Sequence, residues 1–232
     1  NNSYHFICDM EEDLKIIGIT NSGKVIQIDW KESINKDCKL DNKFLNNINP
    51  TDILNFHSIN KKEKNYLCLL NNIGQFKKIH FDEDMIKTNR VFSIIKLKDE
   101  NNIVDSFIAK DSDILIILTS IGRIFKFDLS SKYISACSRQ SQGYNLIKLL
   151  PEETVVSCCK CSMEDNIILA SKKGKFYKIN LNEIYNSWNA KLGYINEKLI
   201  IKNDEFIRIF SDKQDCFIET NKQKTAKLNF KE

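Results

Sequence analysis

Lys24, Arg123, Lys175 and Lys224 recur at one place in a repeating pattern, with Gln75 as the fifth occupant. Three residues further on stand Lys78, Lys126, Lys178 and Lys227, with Gln27 as the exception. Eight of these ten positions are basic in a chain where only 35 of 232 residues are Lys or Arg. Cations at a fixed period suit a partner whose charges also recur. Phosphates do so along a nucleic-acid backbone, and a row of Lys and Arg neutralises them without reading bases. Lys172, Lys173 and Lys222 add charge beside the fourth and fifth copies. Arg139 is placed either to touch phosphate or to pair with Glu152 or Glu153. The plainer reading of any single Lys is that it marks the solvated face of a strand.

Other chemistries find little support. His5, His57 and His80 are scattered, and His80 fills a slot held elsewhere by Asp29, Asp128, Asn180 and Asn229. Cys158, Cys159 and Cys161 cluster in "SCCKC", without the paired spacing of a zinc site. They are expected to be core or edge thiols, Cys159 and Cys161 on one strand face and Cys158 on the other. There is no Walker-type loop, no persuasive acid/base pair of carboxylates and no marked tyrosine nucleophile. No metal, cofactor or catalysis is expected in this stretch of chain.

The basic columns belong to a repeat of about 50 residues. "TSIGRIFKFDL" at 119–129 aligns with "TNSGKVIQIDW" at 20–30, "NNIGQFKKIHF" at 71–81, "SKKGKFYKINL" at 171–181 and "TNKQKTAKLNF" at 220–230. Gly23, Gly74, Gly122 and Gly174 share one column, and Gln223 takes it in the last copy. An apolar run precedes each column and alternating residues follow it, such as Phe125, Phe127 and Leu129. That is a hairpin whose turn needs a positive φ, which glycine supplies. Gln223 is expected to strain the fifth turn or change its type. A connector follows each hairpin, clearest at "SQGYNLIKLLPEE" (141–153) and "KLGYINEKLIIKNDE" (191–205), then one more strand. The one helical signal is "LNEIYNSW" at 181–188, worth one or two turns.

A unit of four strands cannot bury both its faces alone. The expectation is therefore an all-β radial array of about five four-stranded blades. It forms a single domain over 1–232, with repeats at 1–48, 49–98, 99–150, 151–201 and 202–232. The net charge of +4 is mild and neither demands nor excludes a polyanion. Eight cysteines without scaffold spacing point to a reducing compartment. No apolar run reaches the ~18 residues of a membrane span. The expected setting is intracellular and soluble, and the missing initial Met points to a piece of a longer protein.

The core pattern Thr-x-x-Gly-basic-φ-x-Lys-φ resembles the C-terminal repeats of the A subunits of DNA gyrase and topoisomerase IV. "ASKKGKFYKINLNEI" at 170–184, "LTSIGRIFKFDLSS" at 118–131 and "SRQSQGYNLIKLLPEE" at 138–153 carry the likeness most clearly. The resemblance implies a β-pinwheel, in which neighbouring blades exchange an outer strand and double-stranded DNA wraps around a basic rim. It implies no covalent chemistry in this domain. The parent would be an ATP-dependent type II DNA topoisomerase, with a cleavage core in the same chain, and an ATPase B subunit would be its partner. The expected place is cytoplasmic and nucleoid-associated, with an organelle as an alternative. The DNA-contact residues so implied are Lys24, Lys78, Arg123, Lys126, Arg139, Lys172, Lys173, Lys175, Lys178, Lys222, Lys224 and Lys227. The sequence departs from gyrase in lacking the Gln-Arg-Arg-Gly-Gly-Lys-Gly heptapeptide, to which "SRQSQGYN" is the nearest run. A propeller-type protein-interaction scaffold without DNA binding is the alternative reading.

Overall fold

A computed structural model describes residues 15–28, 48–59, 65–81, 91–98, 100–139, 141–188, 193–195, 204–214, 216–219 and 225–228. In chain order the strands are β1 (Lys15–Thr20), β2 (Lys24–Ile28), β3 (Ile53–Ile59), β4 (Tyr66–Asn71), β5 (Gln75–His80), β6 (Phe92–Ser93), β7 (Ile103–Ala109) and β8 (Ile114–Thr119). They continue as β9 (Ile124–Asp128), β10 (Tyr144–Asn145), β11 (Val155–Cys161), β12 (Asn166–Ser171), β13 (Phe176–Asn180), β14 (Phe206–Ser211), β15 (Cys216–Glu219) and β16 (Thr225–Leu228). Regular helix is confined to single 3-10 turns, at Pro50–Asp52 and Leu181–Glu183 among the described residues. The helical signal at 181–188 thus shrinks to one turn, in which the Asn182 amide donates to the Asn180 side chain.

Each repeat forms its hairpin where the glycine column predicts it: β1–β2, β4–β5, β8–β9, β12–β13 and β15–β16. The amides of Gly23, Gly74, Gly122 and Gly174 donate to the carbonyls of Thr20, Asn71, Thr119 and Ser171, and all four glycines have φ between 76° and 82°. The polar residue that opens each turn has a second task. Its side-chain oxygen accepts the amide of the residue after the glycine, Thr20 from Lys24, Asn71 from Gln75, Thr119 from Arg123 and Ser171 from Lys175. The turn at Gln223 lies outside the described residues.

The chain divides into two compact units. The first, Asn1–Asp111 with Ser130–Val155, holds two four-stranded sheets of order β3-β1-β2-β6 and β10-β5-β4-β7. The second, Ser112–Leu129 with Val156–Glu232, holds β11-β8-β9, β13-β12-β14 and β15-β16. The pairing shows how a blade is completed. The connector after the second hairpin returns to the first, placing Ser93 on Lys24. The connector after the third returns to the second, placing Asn145 on Gln75. The connector after the fourth reaches the third as a single bridge, Tyr194 on Ile124. An outer element is therefore donated backwards by the following repeat.

This donation covers strand faces that alternation alone would leave in water. Phe125, Phe127 and Leu129 are buried as expected, but so is Ile124 on the other face. In β5 four consecutive residues, Phe76, Lys77, Lys78 and Ile79, are no more than 1% exposed. Ile17, Ile19, Leu67, Leu69 and Ile103 centre the core of the first unit. Ile116, Leu118, Ile167, Leu169 and Ile209 centre that of the second. Cys158, Cys159 and Cys161 are all buried in β11, and burial first of all pushes the Cys161 thiol up to about 12.

Candidate nucleic-acid interface

The fourth hairpin presents the densest exposed charge of the expected site. Lys172 and Lys173 form the tip of the turn, and Lys175 and Lys178 lie just after it and along β13; all four are exposed. Their heads reach water because Lys178 pairs with Ile168 at a strand edge that no described strand covers. Gly174 shows the same openness, since an added Cβ would meet nothing within 4 Å. Acidic neighbours hold the lysines only loosely. Lys172 Nζ is 3.3 Å from Glu205 and Lys178 Nζ is 3.7 Å from Asp212. Lys175 has no ion-pair partner among the described residues. The Lys172–Glu205 pair is exposed on both sides and worth little in water, so phosphate can displace it, whereas the Asp212 carboxylate facing Lys178 is only 7% exposed.

Three other expected residues are exposed. Lys24 stands beside the first turn and Lys227 on β16. Arg139 lies in the connector before β10, its guanidinium carbon 4.6 Å from the centre of the Phe92 ring. It does not pair with Glu152 or Glu153; Glu153 is buried and accepts the Leu150 amide. Lys222 and Lys224 lie outside the described residues.

Three column residues turn inward, which corrects their expected role as surface contacts. Lys78 is fully buried, with its ammonium donating to Asp111, Ser131 Oγ and the Ile134 carbonyl and lying 4.0 Å from the Tyr66 ring centre. Arg123 is 2% exposed and packs 5.0 Å from the Phe125 ring centre. Lys126 is half-buried and donates to the Leu181 carbonyl at 3.1 Å, and burial lowers its pKa from the ordinary lysine value. The physical reason is shared by Lys78 and Lys126. The next connector folds over the strand and offers carbonyls that take up the ammonium.

Sequence reasoning missed Lys77. Its ammonium is fully buried and donates to the carbonyls of Ile94, Arg139 and Ser141 at 2.6, 2.7 and 2.6 Å. Burial pushes its pKa down to about 8, and the nearby Cys137 thiol opposes the shift. A signal was available: the other occupants of this column are Ile26, Phe125, Tyr177 and Ala226. A lysine in a column that is otherwise free of charge marks a buried ammonium with a special partner set.

The family described as the DNA gyrase C-terminal domain, β-propeller, matches residues 113–158 and 165–186. A solved C-terminal domain of DNA topoisomerase IV superposes over 93% of this chain and 69% of its own, with a TM-score of 0.70 at 19% identity. The chain has the β-pinwheel fold of this C-terminal domain. The DNA gyrase A subunit of Clostridium acetobutylicum is 25% identical over 178 residues, which are 72% of this chain and 21% of that protein. The DNA topoisomerase 4 A subunit of Mycoplasma pneumoniae is 28% identical over 127 residues, 53% of this chain and 16% of that protein. The chain thus spans about a fifth or less of the length of these relatives.

In this pinwheel the inward lysines act as clips. Lys78 clips the segment that leads into β10, through Ser131 and Ile134. Lys126 clips the turn after β13 through Leu181. The same repeat position therefore does two jobs. It fastens a donated connector where one is present, and it is exposed at Lys178, where none is described.

Proposed function

We propose that this pinwheel binds double-stranded DNA through its phosphates, bends it without reading its sequence, and presents it to a separate cleavage core. In this reading the core belongs to the same parent chain and works with an ATPase B subunit, the whole forming a type IIA topoisomerase. The observation that carries the reading is the fourth hairpin, where Lys172, Lys173, Lys175 and Lys178 are exposed together with only loose acidic partners. The partial match to the gyrase C-terminal family and the likeness to a gyrase A subunit support it. Lys24, Arg139 and Lys227 are further contacts in the same reading. Bending costs energy that many weak phosphate contacts offset.

The test is the affinity for plain duplex DNA at several salt concentrations. Each neutralised phosphate contributes about −0.9 to the slope of log K against log salt. Replacing Lys172, Lys173, Lys175 and Lys178 by Glu is expected to weaken binding strongly, flatten that slope and leave the fold intact. Unchanged affinity would overturn the proposal. Arg123 and Lys126 are unsuitable targets, because a carboxylate at these buried or half-buried places would disrupt the fold.

A further inference from the structure

Lys77 joins two connectors that belong to different blades of the first unit. Ile94 follows β6, which completes the first sheet, and Arg139 and Ser141 precede β10, which completes the second. An ammonium has three N–H donors, and here each has its own carbonyl. Arg139 is held at both ends. Its carbonyl is bound by Lys77, and its guanidinium rests on Phe92 in the other connector. The guanidinium nevertheless stays exposed and unpaired among the described residues. Gly143 shows how closely the second connector must approach, since a Cβ there would stand 2.4 Å from the Phe76 carbonyl oxygen.

We propose that Lys77 is a positioning residue for DNA binding, whose ammonium fastens the two connectors together and thereby holds Arg139 outward for a phosphate. This rests on the DNA-binding reading above. The mechanism needs the charged form. A neutral amine has two N–H donors and a lone pair, so one of the three carbonyls loses its partner and the Arg139 main chain is released. Because burial brings the Lys77 pKa down to about 8, release falls between pH 7 and pH 9. The groups that face the ammonium are the Cys137 thiol and the carbonyls of Ile94, Arg139 and Ser141. The Arg139 guanidinium is turned to Phe92.

The experiment uses the full chain. Affinity for a fluorescent plain duplex is measured from pH 7 to pH 9 at constant salt. It is expected to fall about fivefold with a midpoint near pH 8, the scale of losing one phosphate contact. Arg139→Ala should bind about fivefold more weakly at pH 7 and show a flat profile. Lys77→Met should resemble it, and the double variant should be no worse than either single one. A profile that is equally steep with and without Arg139 overturns the proposal, and that measurement does not depend on Lys77→Met folding. Hydrogen exchange without DNA reads the clamp directly. The amides of Ile94, Cys137, Ser141 and Leu146 should lose protection from pH 7 to pH 9 beyond the ordinary rise in exchange rate, and unchanged protection overturns the clamp. Loss of protection in a chain that binds no DNA at all overturns the functional reading and leaves the clamp standing.

Discussion

Tyr194 and Ile124 exchange both main-chain hydrogen bonds, at 2.6 and 2.9 Å, across 70 residues of sequence. A contact of this kind needs a connector that lies flat on the hairpin, and glycine makes that possible. Gly193 has φ +69°, and a Cβ there would stand 2.9 Å from the Phe125 ring; Gly143 has φ +87° and would meet backbone at 2.4 Å. Gly143→Ala is expected to cost about 2–4 kcal/mol and Gly193→Ala about half as much, because a ring can yield and a backbone cannot. Urea denaturation of the two variants checks the order.

The ion pair of Lys78 and Asp111 should appear in the acid limb of stability. The hydrogen bond from Lys78 holds the Asp111 carboxyl below its usual range. A carboxyl with a depressed folded pKa stabilises the fold above its unfolded value of about 3.9, and that contribution is lost as pH falls below it. The effect is small, since Asp111 is about half exposed. Asp111→Asn should therefore be less stable than the parent at pH 6 and converge on it near pH 2, as read by thermal melts. Lys78→Glu should fail to fold.

Lys77 has the opposite sign. Its folded pKa of about 8 lies below the ordinary 10.5, so the unfolded chain holds the proton more tightly. Global stability should rise as pH climbs from about 8 towards 10.5, even while the local clamp loosens. Lys77→Met should lack this rise and be less stable by about 2–4 kcal/mol at pH 7, because it leaves three carbonyls unpaired. Chemical denaturation at pH 7, 9 and 10.5 separates the two.

Glu100 and Glu152 sit at the same repeat position, in the turns before β7 and β11, with φ of +75° and +63°. Both are exposed, and neither conformation suits a side chain. Glu100→Gly and Glu152→Gly are each expected to stabilise by about 0.5–1 kcal/mol. Denaturation midpoints that fall instead would show that the glutamates make compensating contacts.

Much of the fold could be read from the chain because its signals are local. The glycine column, the apolar run before it and the alternation after it lie within about a dozen residues, and a hairpin is decided at that range. The fate of the charged columns was not local. Lys78, Lys126 and Lys178 share one position and one residue type, yet the first is fully buried, the second half-buried and the third exposed. What separates them is the segment lying over the strand, supplied from some 50 residues downstream at Lys78 and Lys126.

The sequence by itself determined the period, the turns, the all-β class and a family resemblance. These follow from residue types at fixed short spacing. Only the tertiary structure decided which cations meet water. The same lysine is a surface charge or an internal clip according to whether a distant carbonyl lies over it, and Lys77 shows the limit, a charge with no carboxylate partner among the described residues, held by main chain from two connectors.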